Sequence, residues 1–304
     1  TLLLLPPTGL ATTYNTPTVD GPPTVAPTDW DADELLHEDP VGDSAWGPYN
    51  DLQGLWVTWD QDYLYLAVSG ALWDVPAGSG GGSNAVNLYL DADFGSGTGI
   101  GNMNEIAQNA LQAVTRNLWR PLEIGDGFGA DFGFTTWAGL YDRGFLDLRD
   151  PSAPVNLLES SAVGENEANC PGGSLVCVGL DISGKSGYEL KIPWSTLYTG
   201  LYPGRAGTVP AGARIAVVVA IVGGGDSLSP ESMPDGADDR VIERPLIYNV
   251  DADGNGIPDP NWPPQGRIAG TVTLPDATDT TTVLRVVARD PGSGAEVELS
   301  LIHI

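Results

Sequence analysis

The chain has 304 residues and carries 40 Asp and Glu against 13 Lys and Arg, a formal charge of −27. A surface this acidic repels nucleic acid and anionic membranes and excludes both as partners, whereas calcium, neutral ligands or a salty medium suit it. The 40 glycines and 25 prolines describe a turn-rich, all-β globular protein.

Thr1-Leu2-Leu3-Leu4-Leu5, leading to Gly9-Leu10-Ala11, is expected to be the remnant of a signal peptide within a leader covering residues 1–17. It is too short to span a bilayer. The first β-hairpin is predicted over Leu55–Trp59 and Tyr63–Val68, turning at Asp60-Gln61-Asp62. Period-two alternation puts Leu55, Val57, Leu64, Leu66 and Val68 on one face, with Trp56, Thr58, Tyr63 and Tyr65 on the other. A strand over Ala85–Leu90 repeats the pattern, turning Val86, Leu88 and Leu90 inward and Asn87 and Tyr89 outward. It runs into the acidic, Gly-rich loop Asp91–Gly99.

Helical spacing follows over residues 103–114, with Asn102 or Asn104 as the cap. Further strands are predicted near 130–138, 144–148, 175–182, 187–193 and 214–222. The last, Arg214–Val222, is nearly all apolar and should be a central strand buried on both sides. Cys170 and Cys177 flank Pro-Gly-Gly-Ser and are expected to close a small disulfide loop in an oxidising compartment. A metal site would require more soft ligands nearby.

Residues 249–265 form an acidic, Pro-rich connector. Asp251, Asp253, Asn255 and Asp259, with the Ile257 carbonyl, place oxygens at alternate positions around a Gly-rich turn, as a calcium site requires. The order matches the first half of an EF-hand loop, but Trp262 stands where the bidentate Glu belongs. The alternative is an acidic surface turn. Residues 266–298 read as a second, truncated β-domain that opens at Arg267–Val272. The closing Leu299–Ile304 is the string that a transposase-type sequencing adaptor encodes in this frame, and it is expected not to be biological.

Several segments together resemble a known family. Val19-Asp20-Gly21 and Trp30, the run Trp59-Asp60-Gln61-Asp62-Tyr63-Leu64-Tyr65, and the strand ending in Asp91-Ala92-Asp93 carry the likeness, with Gly187–Trp194 and its Ile-Pro bend. They resemble family 9 carbohydrate-binding modules and the wider DOMON-like group. Asp39-Pro40-Val41-Gly42-Asp43 is similar to the C-terminal module of glucodextranases. The resemblance spans residues 18–248 and implies an immunoglobulin-like β-sandwich with one short helix. It also implies sugar binding and a place beside further domains of an extracellular or cell-surface protein. The 266–298 segment looks like the start of a carboxypeptidase-regulatory-like sandwich. Haem, which some DOMON-like proteins bind through Met and His, is not expected from Met103, Met233 and His37.

Candidate sugar contacts are the aromatics Trp56, Tyr65 and Tyr89, set side by side on adjacent strands, with Asn87 and Thr58 to orient hydroxyls. The competing reading covers that face with a second layer and makes the rings structural. Trp46 and Trp73, on loops, are the rival anchors, while Trp30, Trp59 and Trp194 are expected in the core. Gly225-Asp226-Ser227-Leu228 spells a GDSL esterase nucleophile motif, yet no base follows it and His37 lies upstream, so Ser227 reads as a loop residue. Gly78–Ser83 lacks the Lys of a phosphate cradle. The expectation is therefore a secreted, non-catalytic carbohydrate-binding module with a calcium-type connector. The alternatives are an adhesive module without a sugar ligand and the accessory domain of a glycoside hydrolase.

Overall fold

The alternation in the first hairpin builds what it predicts. In the computed structural model, β2 (Asn50–Trp59) and β3 (Tyr63–Leu72) pair antiparallel, with Val57 opposite Leu66 and Leu55 opposite Val68. Residues 14–21, 29–72, 84–107, 122–137, 142–158, 176–180, 186–198, 209–223, 228–236 and 240–260 are described, together with the strands at 283–289 and 296–303. The chain divides into two units, residues 1–265 and 266–304.

The first unit is an all-β sandwich. One sheet has the order β1-β2-β3-β10-β9, adding β1 (Leu35–Glu38), β9 (Cys177–Leu180) and β10 (Gly187–Pro193) to the hairpin. The second has the order β12-β11-β4-β6-β7-β8, with β14 also paired to β11. Its strands are β4 (Ala85–Asp91), β6 (Phe132–Trp137), β7 (Asp142–Asp147), β8 (Val155–Asn156), β11 (Arg214–Val222), β12 (Leu228–Met233) and β14 (Leu246–Asn249). A short helix, α1 (Trp194–Tyr198), follows the Ile192-Pro193 bend. In the second unit β15 (Val283–Arg289) and β16 (Glu296–His303) pair antiparallel.

Three apolar layers result. Leu55, Val57, Leu64, Leu66 and Val68 meet Val86, Leu88, Leu90, Phe132 and Phe134 between the sheets, so the predicted inward faces are the inward faces. Trp59 and Trp194 are also there. The outer face of the larger sheet carries Tyr89, Ala216, Val218 and Ala220 beneath Ile100, Met103, Phe128 and Ile242. The last of these belongs to β13 (Val241–Ile242), which pairs in parallel with β5 (Glu123–Ile124). Strand β11 is buried on both sides, as its unbroken apolar run requires.

A third layer covers the outer face of the smaller sheet. Val19 and Trp30 pack on Trp56, Tyr65 and Ala67. Glu189 of β10 holds this covering segment. Its carboxylate accepts the backbone N–H groups of Asp20 and Gly21, both at 2.9 Å, and the Trp30 indole N–H at 2.6 Å. Gly179 makes room beside it, since a Cβ there would stand 2.9 Å from Val19 and 3.1 Å from the Gly21 nitrogen. The Asp20-Gly21 and Trp30 signature thus has a structural account.

The helix predicted over 103–114 is, where described, a single 3-10 turn at Met103–Glu105, whose Asn102 side chain accepts the Asn104 N–H. Residues 108–121 lie outside the described residues, as do residues 1–13 of the leader, Gly78–Ser83, Ser227 and Arg267–Val272. Cys177 opens β9, while Cys170 also lies outside them. Intact-mass analysis of unreduced, alkylated protein is expected to find no modified thiol, and two alkylated cysteines would remove the bridge.

Candidate functional site

Trp56 and Tyr65, on the aromatic face of the first hairpin, are buried, and Tyr63 beside them is half-buried. Trp56 is 8% exposed, and its ring meets that of Trp30 edge-on at 6.3 Å. Tyr65 is buried, donates its hydroxyl to Asp60 at 2.8 Å, and lies beneath Lys191. Tyr89 is not beside them. Its strand, β4, belongs to the opposite sheet, where β11 and β6 are its neighbours. The expected row of three adjacent rings is corrected on both counts, because β10, not β4, pairs with β3. Asn87 and Thr58 are buried as well. Asn87 donates to the Tyr89 hydroxyl at 3.0 Å and accepts from Thr135 at 2.6 Å, while Thr58 hydrogen-bonds Glu34. Such hydrogen-bonded buried polar groups hold structure and do not face a ligand.

Trp46 is placed differently. It sits half-buried on the loop between β1 and β2, leaning on the main core. Its ring edge covers Gly223 at the end of β11, where a Cβ would come within 2.9 Å. Two amides join it: Asn50 donates to the Trp46 carbonyl at 3.2 Å, and Asn84 donates to Asn50 at 2.6 Å. Tyr49, also half-buried, lies on the same loop. Trp73, the other loop anchor, is outside the described residues. The loop is fixed at its base by Asp51, which accepts from Gly42 at 2.8 Å, and by Glu231, which accepts from Leu52 at 3.0 Å. Glu231 stands with Asp39 and Asp43, and burial together with Glu231 pushes Asp39 up to about 8. Asp39 and Asp43 lie in the Asp39–Asp43 stretch that the sequence singled out, but nothing in the sequence pairs them with Glu231.

Acidic residues capable of holding a metal ion form two further groups, Asp91 with Asp93 and Asp131, and Asp251 with Asp253 and Asp259. Both flank the start of β11. Phe94 donates to the Arg214 carbonyl at 3.1 Å, and Asp251 donates to the Ala213 carbonyl at 3.2 Å.

The Asp251 loop is built as a turn around its first carboxylate. One oxygen of Asp251 accepts the N–H groups of Gly254 and Asn255, and the other accepts those of Gly212 and Gly256, at 2.8–3.1 Å. Burial raises this carboxyl, but these donors, with Asp253, outweigh it and hold the group below its usual range. Asn255 turns its side-chain oxygen to the Ile257 N–H and its amide to Asp253, while Asp259 accepts from Ala252. The segment does not hang free of the sandwich. The Trp59 indole donates to the Asp259 carbonyl at 2.7 Å, and the Tyr14 hydroxyl to the Pro258 carbonyl at 2.6 Å. Residues 249–260 are therefore part of the first unit's surface.

The other group was not legible in the sequence as a set. Asp91 ends β4 and Asp131 precedes β6, 40 positions later. They are 2% and 0% exposed, and burial pushes both up to about 7. No family model matches this sequence, and no match is found among the curated proteins. Among the described residues, no helix is long and apolar enough to cross a membrane.

Proposed function

We propose that this chain is a secreted, non-catalytic carbohydrate-binding module of a larger extracellular protein, with its sugar contact at the Trp46 loop. A sugar ring needs a fixed aromatic to stack on and polar groups to orient its hydroxyls. Trp46, braced over Gly223 beside the amides of Asn50 and Asn84, supplies both and is the observation that carries this reading. The Asp251 loop is the calcium-type element in this reading, with Asp251, Asp253, Asn255, the Ile257 carbonyl and Asp259 as its oxygens. The burial of Trp56 and Tyr65 favours a second reading, an adhesive module without a sugar ligand.

A glycan array probed with residues 12–265 separates the two. The parent is expected to retain a neutral polysaccharide, and Trp46→Ala to weaken it at least about tenfold, the effect of losing roughly 1.4 kcal/mol of stacking. Trp56→Phe should leave binding unchanged. A parent that binds no glycan removes the first reading and leaves the adhesive one.

A further inference from the structure

The acidic cluster at the end of β4 differs from the Asp251 loop in one respect that decides what it can do. Asp91, Asp93 and Asp131 each place a carboxylate oxygen within 4.8 Å of the others. Backbone packing forces this approach. Ile100 and Ala130 form a bridge between the two loops, and a Cβ on Gly129 would stand 1.7 Å from the Thr98 carbonyl oxygen. The two segments can meet this closely only where Gly129 has no side chain, and their meeting carries Asp131 to Asp91.

The hydrogen bonds then fall short. Asp91 accepts from Gly129 at 2.8 Å and Asp93 N–H at 3.1 Å, and the Thr98 hydroxyl bonds both oxygens of Asp93. Asp131 takes the Ala92 N–H on Oδ2 at 2.9 Å, while its Oδ1 is buried and has no hydrogen-bond partner among the described residues. A fully buried carboxylate oxygen with no donor, grouped with two further carboxylates, is costly unless a positive charge meets it. The nearby Arg149 is engaged by Asp147 and lies over the Phe132 ring at 5.0 Å. The Asp251 loop, by contrast, surrounds its buried carboxylate with four N–H groups and stabilises the charge itself.

We propose that Asp91, Asp93 and Asp131 form a second, separate site for a hard divalent cation, with calcium as the ion it favours. The donors are all oxygen, and three carboxylates balance a double positive charge with one to spare. Calcium accepts 6–8 oxygens in adaptable geometry, whereas magnesium demands a near-ideal octahedron that a site set by two packed backbones has no freedom to adopt. Backbone carbonyls and water complete the shell. The ion fastens the Asp91–Ile100 loop to residues 128–131 at the same end of the sandwich as the Asp251 loop. The site is independent of where sugar binds.

Calcium titration calorimetry and thermal unfolding of the full chain, stripped with chelator, test it. The variants are Asp131→Asn, Asp93→Asn and, for the other loop, Asp253→Asn. Asp131→Asn removes the unpartnered charge, so in chelator its midpoint should equal or exceed the parent's. Its calcium affinity at this site should fall at least about 100-fold, the upper range for losing even an outer partner of a metal site. Asp253→Asn should retain this ion. Should Asp131→Asn fail to fold, Asp93→Asn, altered at the rim, is expected to show the same loss. A parent whose calcium disappears only with Asp253→Asn overturns this site and leaves the connector reading standing. Loss confined to Asp131→Asn and Asp93→Asn does the reverse, and a parent that binds no calcium overturns both.

Discussion

Glu189→Ala is expected to detach the segment covering the smaller sheet and to destabilise the protein by about 3 kcal/mol or more. The substitution removes the acceptor for three N–H groups, from Asp20, Gly21 and Trp30. A hydrogen bond to a charged group contributes roughly 1.5–3 kcal/mol, and a buried donor left alone costs about 1–3 kcal/mol. The sum is reduced because burial pushes the Glu189 carboxyl up to about 7 against the pull of those donors, so the ionised form is itself costly. The sign of the pH dependence follows. A carboxyl raised from its ordinary 4.5 favours the folded state fully below about 4.5, and that contribution is lost as pH rises through about 7. The variant lacks it, so the substitution should cost more at pH 5 than at pH 8. Urea unfolding at both pH values measures this, and limited proteolysis should find new cleavage within residues 14–35. A cost below about 1 kcal/mol with no new cleavage would show that something other than Glu189 secures the segment.

Trp56→Ala is expected to cost roughly 3–5 kcal/mol, the range for emptying a buried aromatic site, and to leave glycan binding untouched where the protein still folds. The ring is buried between Trp30 and the hairpin, and the layer above it, tied down at Glu189, has little freedom to collapse into the space. Trp56→Phe should cost much less, under about 1.5 kcal/mol. It keeps most of the apolar area and discards an indole N–H that is buried without a partner among the described residues. Thermal unfolding of the two variants ranks them. An alanine variant within about 1 kcal/mol of the parent would mean the ring is accessible, which would restore Trp56 as a sugar platform.

These two side chains also mark how far the sequence reaches. Strand parity is a local property of the backbone, so the alternation in Leu55–Val68 and Ala85–Leu90 assigned the inward faces correctly. Arg214–Val222 declared itself central because no exposed strand sustains an unbroken apolar run. The all-β class and the core position of Trp59 were legible for the same reason, while Trp30 and Trp194, also buried as expected, lie outside the strands. Parity says which residues share a face, but not which strand lies next or what covers that face.

Those were decided by contacts distant in the chain. Glu189 meets Asp20 and Gly21 across 169 and 168 positions, and this turns the Trp56 face from a platform into a core. The pairing of β3 with β10 separates Tyr89 from Tyr65. Trp59 meets Asp259 across 200 positions and secures the acidic connector to the sandwich. In the connector the ligand-type residues lie within nine positions, so the sequence displayed them together. Asp91 ends one strand and Asp131 precedes another, with nothing in their spacing to join them, and the close backbone approach at Gly129 brings their carboxylates to one place.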